Sequence, residues 1–216
     1  MAKKTQDPVV VGVDGSASAV HAVHWAALEA ARRDAPLLLV HVWTPVPASV
    51  PHAAALGPYE DGLITQGRQW LTEASEIAAG AAPGVPTSSR LMSGSAAGHL
   101  IGTSASAALL VLGSRGLGGF TGLVVGSIAV AVATHGHCPV VVVRGTDPQE
   151  PPRQDGPVVV RDGPTHALLD QAKRAQLVVT GSRGRGGFRG LLLGSTSQAL
   201  IQHAACPVAV VPPSRA

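Results

Sequence analysis

The chain has 216 residues, 45% hydrophobic and 13% charged, with 26 glycines, a composition that builds a globular core and excludes an extended polar chain. Its formal charge of +3 conceals an asymmetry, since residues 1–152 carry 8 Lys/Arg against 10 Asp/Glu and residues 153–216 carry 8 against 3. Residues 116–143 lack charge altogether, a run long enough to weigh as a membrane span, but seven glycines and prolines together with His135 and His137 divide it into loop, helix and strand, for which a buried α/β core is the better account.

Val9–Val13 is a continuous β-branched run without polar alternation, the mark of a strand covered on both faces. It ends at Asp14-Gly15-Ser16, and Ala19–Arg33 then reads as a helix with Ser16 near its cap. Leu37–Trp43 is a second buried strand, Pro45–Pro58 a proline-rich loop and Gly62–Ala79 an amphipathic helix. There follow a strand near Pro86–Met92, a helix Ala96–Ser104, a strand Ala108–Leu112, a glycine loop, a helix Gly126–Thr134 and a strand Pro139–Val143. Five strands alternating with helices specify an α/β fold with a doubly wound parallel sheet. The first residues, MAKKTQDP, carry no apolar targeting segment, so a cytoplasmic protein is expected. In that compartment Cys138 and Cys206 read as buried reduced thiols, not as a disulfide.

One glycine pattern is spelled twice. Gly113-Ser-Arg-Gly116 is followed after nine residues by Gly126-Ser127, and Gly181-Ser-Arg-Gly184 after nine by Gly194-Ser195. A shift of 68 residues aligns 113–143 with 181–211 without a gap at 18 identities in 31 positions, so the chain contains an internal duplication. Gly113–Gly116 begins at the carboxyl end of a strand, where doubly wound sheets bind ligands. Glycines there let the backbone approach phosphate oxygens and adopt positive φ, and Gly126-Ser127 opens a helix whose free amides and Ser127 hydroxyl add to the cradle. Neither GxxxxGK[ST] nor GxGxxG is present, which argues against a P-loop and a dinucleotide oxidoreductase.

The opening VVVGVDGS, the strand ending Leu39-Val40-His41-Val42 and the spacing of Gly113, Gly116, Gly126 and Ser127 resemble the universal stress protein family over nearly the whole chain. The resemblance implies a Rossmann-like five-stranded sheet of order 3-2-1-4-5, pairing of units through their fifth strands, and ATP binding. It implies that Asp14 lies near base and ribose, that Gly12 and Val42 line the adenine slot, and that the glycine loop with Ser127 holds phosphates. The ATP-binding set expected on this basis is Gly12, Val13, Asp14, Val42, Gly113, Arg115, Gly116, Gly126 and Ser127. Mg2+ bound with the nucleotide is compatible with Asp14.

The chain divides by sequence into a complete nucleotide-binding unit at 1–145, a Pro/Gln/Asp/Gly-rich linker at 146–156 and a truncated copy at 157–216. Pro157–Val160 matches Pro8–Val11, but the next residues, Arg161-Asp162-Gly163-Pro164, align with Ser93–Ala96. The copy therefore lacks the first helix, second strand and second helix, leaving a three-stranded partial repeat of Val158–Val160, Leu177–Thr180 and Pro207–Val211. Gly181, Gly184, Gly194 and Ser195 make a degenerate second site without its base half. The matched edge strands Pro139–Val143 and Pro207–Val211 are expected to pair antiparallel, within one chain or by exchange between chains, and to favour self-association.

Competing patterns are weaker. His135, His137 and Cys138 suggest zinc, but the repeat replaces His137 with Ala205 and no third or fourth ligand converges, so no metal site is expected. Arg183–Arg189 resembles an RGG-type RNA contact, yet it is the loop of the repeat, which disfavours nucleic acid. No Ser–His–Asp or Cys–His constellation can be assembled from neighbouring segments. The expectation is a nucleotide-responsive regulatory or stress-response module, with slow ATP hydrolysis at most, open to a further protein partner and without membrane association. Its alternatives are a weak ATPase and a nucleic-acid-binding or structural interaction protein.

Overall fold

A computed structural model describes residues 6–47, 49, 57–116, 125–144, 162–183 and 193–213. The elements run β1 (Val9–Gly12), α1 (Ala17–Arg33), β2 (Leu37–Trp43), α2 (Gly57–Ala81), β3 (Thr87–Ser93), α3 (Ala96–Ser104) and β4 (Leu109–Gly113), then α4 (Ser127–His135) and β5 (Val140–Val143). After these come α5 (Pro164–Gln171), β6 (Val178–Gly181), α6 (Ser195–His203) and β7 (Val208–Val211). The described strands form a single seven-stranded sheet of order β3-β2-β1-β4-β5-β7-β6. Its first five strands are parallel and give the expected order 3-2-1-4-5.

Both faces of the sheet are covered, which explains the unbroken valine and leucine runs. On one face α1 and α2 pack over Val9, Val11, Leu37, Leu39 and Val111. Ala19, Ala22, Ala26, Ala27 and Ala30 make the buried side of α1 flat enough to lie close on the strands. On the other face α3, α4 and α6 close over Val10, Leu110, Val140, Val142, Val208 and Val210. β3 is an edge strand, and its Thr-Ser-Ser-Arg start is exposed.

The element ends have local causes. Ser16 caps α1, accepting from the Ala19 amide at 3.2 Å. Asp34 closes it in the left-handed region at φ 52°, its amide reaching the Ala30 and Ala31 carbonyls. α2 starts five residues earlier than the periodicity indicates, at Gly57. Pro58 is tolerated there because the first-turn amides have no intrahelical partner in any case, and Glu60 reaches back to the Val46 amide at 2.8 Å. The expected strand Val158–Val160 lies outside the described residues.

The C-terminal elements join the sheet through β7. Val140, Val141 and Val142 pair antiparallel with Val210, Ala209 and Val208, and β6 continues parallel to β7. The anticipated pairing of terminal strands is thus realised within one chain. β5 and β7 each have neighbours on both sides, and among the described strands β3 and β6 lie outermost. No described helix is long and apolar enough to cross a membrane. Val179 shares its face with Ala209 but is 62% exposed, since α1 and α2 do not extend that far along the sheet.

Val210 is 1% exposed, so Val210→Asp is expected to lower the free energy of urea unfolding by about 3 kcal/mol or more, through an unpaired buried charge. Val179→Thr should stay within about 0.5 kcal/mol of the wild type. Burial pushes the Cys138 thiol up to about 11 from 9.0. The unfolded thiol ionises first, so this group's contribution to stability is intact below pH 9 and is lost as pH rises toward 11. Native protein at about pH 8 should accordingly resist alkylation at Cys138 on mass spectrometry, and prompt labelling would contradict its burial.

Candidate functional site

A cleft of about 440 Å³ opens where the strand order reverses between β1 and β4. Its walls are the carboxyl ends of β1, β2 and β4, the first turn of α4, Ala96 and Leu100 of α3, Ala19 of α1 and Trp70 of α2. All nine residues expected from the sequence line it: Gly12, Val13, Asp14 and Val42 toward β1 and β2, Gly113, Arg115 and Gly116 after β4, and Gly126 and Ser127 at α4.

The end near β2 is apolar. Val13, Val40, Val42, Leu100, Leu112 and Trp70 surround it. A Cβ on Gly12 would lie 2.6 Å from Leu112 Cδ2, so glycine there lets the leucine floor the cleft. His41 is buried at 6% exposure, and its Nδ1 donates to the Val13 carbonyl at 2.7 Å. Its ring meets Trp70 edge-on, with centroids 5.2 Å apart at 77°. Trp70 in turn lies on Gly15, whose φ of 80° and missing Cβ admit the indole; an added Cβ would fall 2.2 Å from Trp70 Cε2.

The opposite end is built from backbone. Ser18 Oγ donates to the Arg115 carbonyl and accepts from the Arg115 amide at 3.2 Å, gripping both polar groups of one peptide residue. Ser16 Oγ lies 2.7 Å from Asp14 Oδ1 and 3.1 Å from the same Arg115 carbonyl, so its single proton selects between two acceptors. The loop consequently sits hard against the start of α1. A Cβ on Gly113 would stand 2.5 Å from Ser18 Oγ and 2.7 Å from its carbonyl carbon, and one on Gly116 would stand 2.5 Å from Asp14 Oδ2. The expected reason for these glycines needs correction in one respect. Among the described residues the left-handed glycines are Gly15, Gly84 and Gly94, while Gly113 and Gly116 are required by close approach and a Cβ on Gly126 would make only ordinary contacts at 3.9 Å. Gly126 donates to the Ser114 carbonyl at 2.8 Å and offers α4 no side-chain cap, which leaves first-turn amides open to the cleft.

The second pattern reproduces the backbone but not the cleft. The Gly194 amide donates to the Ser182 carbonyl at 2.8 Å, matching Gly126 and Ser114, and α6 likewise begins without a side-chain cap after Gly194 and at Ser195. Ser197 and Thr180 replace Ala129 and Leu112, however, and the Ser197 hydroxyl donates to the Gly181 carbonyl at 2.7 Å. Where the first site has an apolar floor, the second has a polar plug. No counterpart of β2 or Trp70 stands beside it among the described residues, and Gly184 lies outside them, as does most of Arg183–Arg189.

Among the described residues no three potential metal ligands converge. His135 ends α4, and the Cys138 side chain is buried beside the Pro139 carbonyl. Asp14 is the one carboxylate among the residues described as lining the cleft. Sequence reasoning missed Ser18, His41 and Trp70 as site residues. Nothing in the local pattern pairs Ser18 with a residue 97 positions away, and His41 stands out only as one residue of the strand motif Leu39–Val42.

The model of the universal stress protein family matches residues 6–144 and again 148–212. A universal stress protein of Mycolicibacterium smegmatis is 30% identical over 292 aligned positions, covering 97% of this chain and 98% of the relative. A universal stress protein of Mycobacterium tuberculosis is 28% identical over 286 positions, covering 94% and 95%. Among solved structures, universal stress protein UspA from Lactobacillus plantarum covers 66% of this chain and 100% of its own at 25% identity and a TM-score of 0.54. A universal stress protein from Archaeoglobus fulgidus resembles the whole arrangement in fold, covering 98% of this chain and 100% of its own with a TM-score of 0.70 at 17% identity.

Gly15→Ala is expected to lower stability by about 1–3 kcal/mol, because a left-handed non-glycine residue is strained and its methyl group displaces Trp70. The loss should appear in urea unfolding together with a shift in indole emission. Unchanged stability and emission would contradict the packing of Trp70 on this turn.

Proposed function

The chain belongs to the universal stress protein family, and from that premise we propose that it is an ATP-binding regulatory module with one competent site. The observation that carries this reading is the division of a single cleft into an apolar end and an amide-lined end. The first suits a purine, which loses little by leaving water for valine, leucine and indole. The second suits phosphates, because open helix amides and the positive end of α4 favour anions by about 0.3–1 kcal/mol per charge, and up to about 2 when partly buried. In this reading Gly12, Val13 and Val42 face the base and Asp14 the ribose, and Gly113, Arg115, Gly116, Gly126 and Ser127 hold the phosphates. A divalent ion bound with ATP would take Asp14 and phosphate oxygens as ligands, neutralising charge on the tail.

The competent site belongs to a unit spanning 1–145, joined through 146–156 to a truncated copy at 157–216. An alignment of 292 positions with a full-length relative cannot be filled by 216 residues, which supports a deletion. Gly181, Gly184, Gly194 and Ser195 then form a relic loop that contributes no nucleotide binding. Because β5 and β7 both have neighbours on either side, self-association would use an outer edge of the described sheet, at β3 or β6, or an exchange of β7 between chains. A weak ATPase is the second reading, favoured by the position of Asp14 against Gly116. The open cleft holds no histidine or lysine at its phosphate end among the described residues, which supports binding over rapid turnover.

Isothermal titration of the intact chain, cleared of carried-over nucleotide, should give about one ATP site per chain. Gly116→Val, which fills the space beside Asp14, should abolish binding, while Gly184→Val should leave it within about twofold. Two equal sites, or none, would overturn the proposal. Phosphate release should stay below about 1 s⁻¹, the low end of ordinary enzymes.

A further inference from the structure

β4 and β5 end side by side, with Gly113 opposite Val143. The chain leaves one strand through Ser114 to Arg115 and the other directly into Arg144, so two guanidinium groups issue from adjacent strand ends at one rim. Arg115 lines the cleft, and its backbone is fixed by Ser18. Arg144 is half-buried, and its Nη1 donates to the carbonyl of Ile201 at 3.0 Å. Ile201 is 1% exposed in the last turn of α6, where carbonyls lack helical partners and a cation is favoured by the helix dipole. Antiparallel pairing of β5 with β7 brings this end of α6 to the cleft side of the sheet. Burial, and next the charge of Arg115, lower the affinity of Arg144 for its proton, in keeping with two like charges held near one another.

Asp14 sets the need for a second cation. Its carboxylate lies against Gly116, where the ribose position meets the phosphate end, and without a bound divalent ion it opposes an anionic tail. Arg115 and Arg144 both bring positive charge to this rim. We propose that Arg144, held in place by the last turn of α6, makes the cleft selective for a nucleoside polyphosphate over the corresponding monophosphate. The inference rests on the nucleotide reading above. It gives the C-terminal elements a task at a site they do not line: they position a charge behind Arg115. Arg144 is accordingly a positioning residue of the cleft's field, and its effect grows with the charge of the ligand tail.

The test is titration of the intact wild type, Arg144→Gln and Arg144→Lys with ATP and AMP, with thermal unfolding recorded in parallel. Arg144→Gln should weaken ATP about fivefold to tenfold, the size expected of a partly solvated charge near the tail, and leave AMP within about twofold. Arg144→Lys, which keeps the charge, should hold the ATP-to-AMP ratio within about twofold of the wild type, and higher salt should erode the difference between wild type and Arg144→Gln. Equal weakening of both nucleotides, or an unchanged ratio in Arg144→Gln, would overturn the role of Arg144 while leaving the nucleotide site standing. Failure of the wild type to bind either nucleotide would overturn the nucleotide reading itself. If Arg144→Gln unfolds early, Arg144→Met, which keeps the apolar stem and removes the charge, carries the same comparison: a selective loss of ATP supports the role of Arg144, and an equal loss or an unchanged ratio overturns it.

Discussion

The site depends on one close approach, the backbone after β4 pressed onto the β1–α1 turn. Two serines accomplish it. Ser18 holds the Arg115 peptide from both sides, and Ser16 ties Asp14 to the same carbonyl while capping α1. The contact is possible because Gly113 and Gly116 have no side chains where Ser18 and Asp14 stand. It also fixes Ser114, whose carbonyl receives the Gly126 amide and so aims the first turn of α4 at the cleft. Strand order, turn, loop and helix start thus form one connected backbone frame, and the ligand-facing amides are its product.

The antiparallel joint between β5 and β7 has the opposite effect on the two glycine patterns. β6 runs parallel to β7 and therefore against β5, so Gly181 emerges at the far end of the sheet from Gly113. The two loops cannot share a ligand. The same reversal carries the carboxyl end of α6 toward Arg144, so the C-terminal elements reach the first cleft through a helix end and not through their own loop. On the other face Val179 is exposed, with no described helix above it.

Strands and sheet order were legible because a doubly covered parallel strand needs little but branched apolar side chains; Val9–Val11, Leu37–Val40 and Val140–Val143 satisfy that need without ambiguity. The glycine spacing located Gly113, Gly116, Gly126 and Ser127 at the cleft, since phosphate-type cradles are built from chain positions near in sequence. What stayed hidden was long-range. Trp70 reaches the cleft only because α2 crosses β1 and β2 at the height of Gly15, and no local periodicity encodes that height. Ser18 looked like an ordinary first-turn residue until its partner 97 residues away was in place. The glycines were rightly placed, but part of their reason was not: a positive φ is a local property, whereas the proximity of Asp14 to Gly116 is a tertiary one.

Hydrogen–deuterium exchange of the intact chain with and without saturating ATP tests the central claim, a single cleft assembled at the β1–β4 switch point. ATP should slow exchange of amides within 12–19, 112–116 and 126–129, while 181–183 and 194–198 change little. Slowed exchange centred on Gly181 and Gly194, or no change in either region despite saturation, would contradict it.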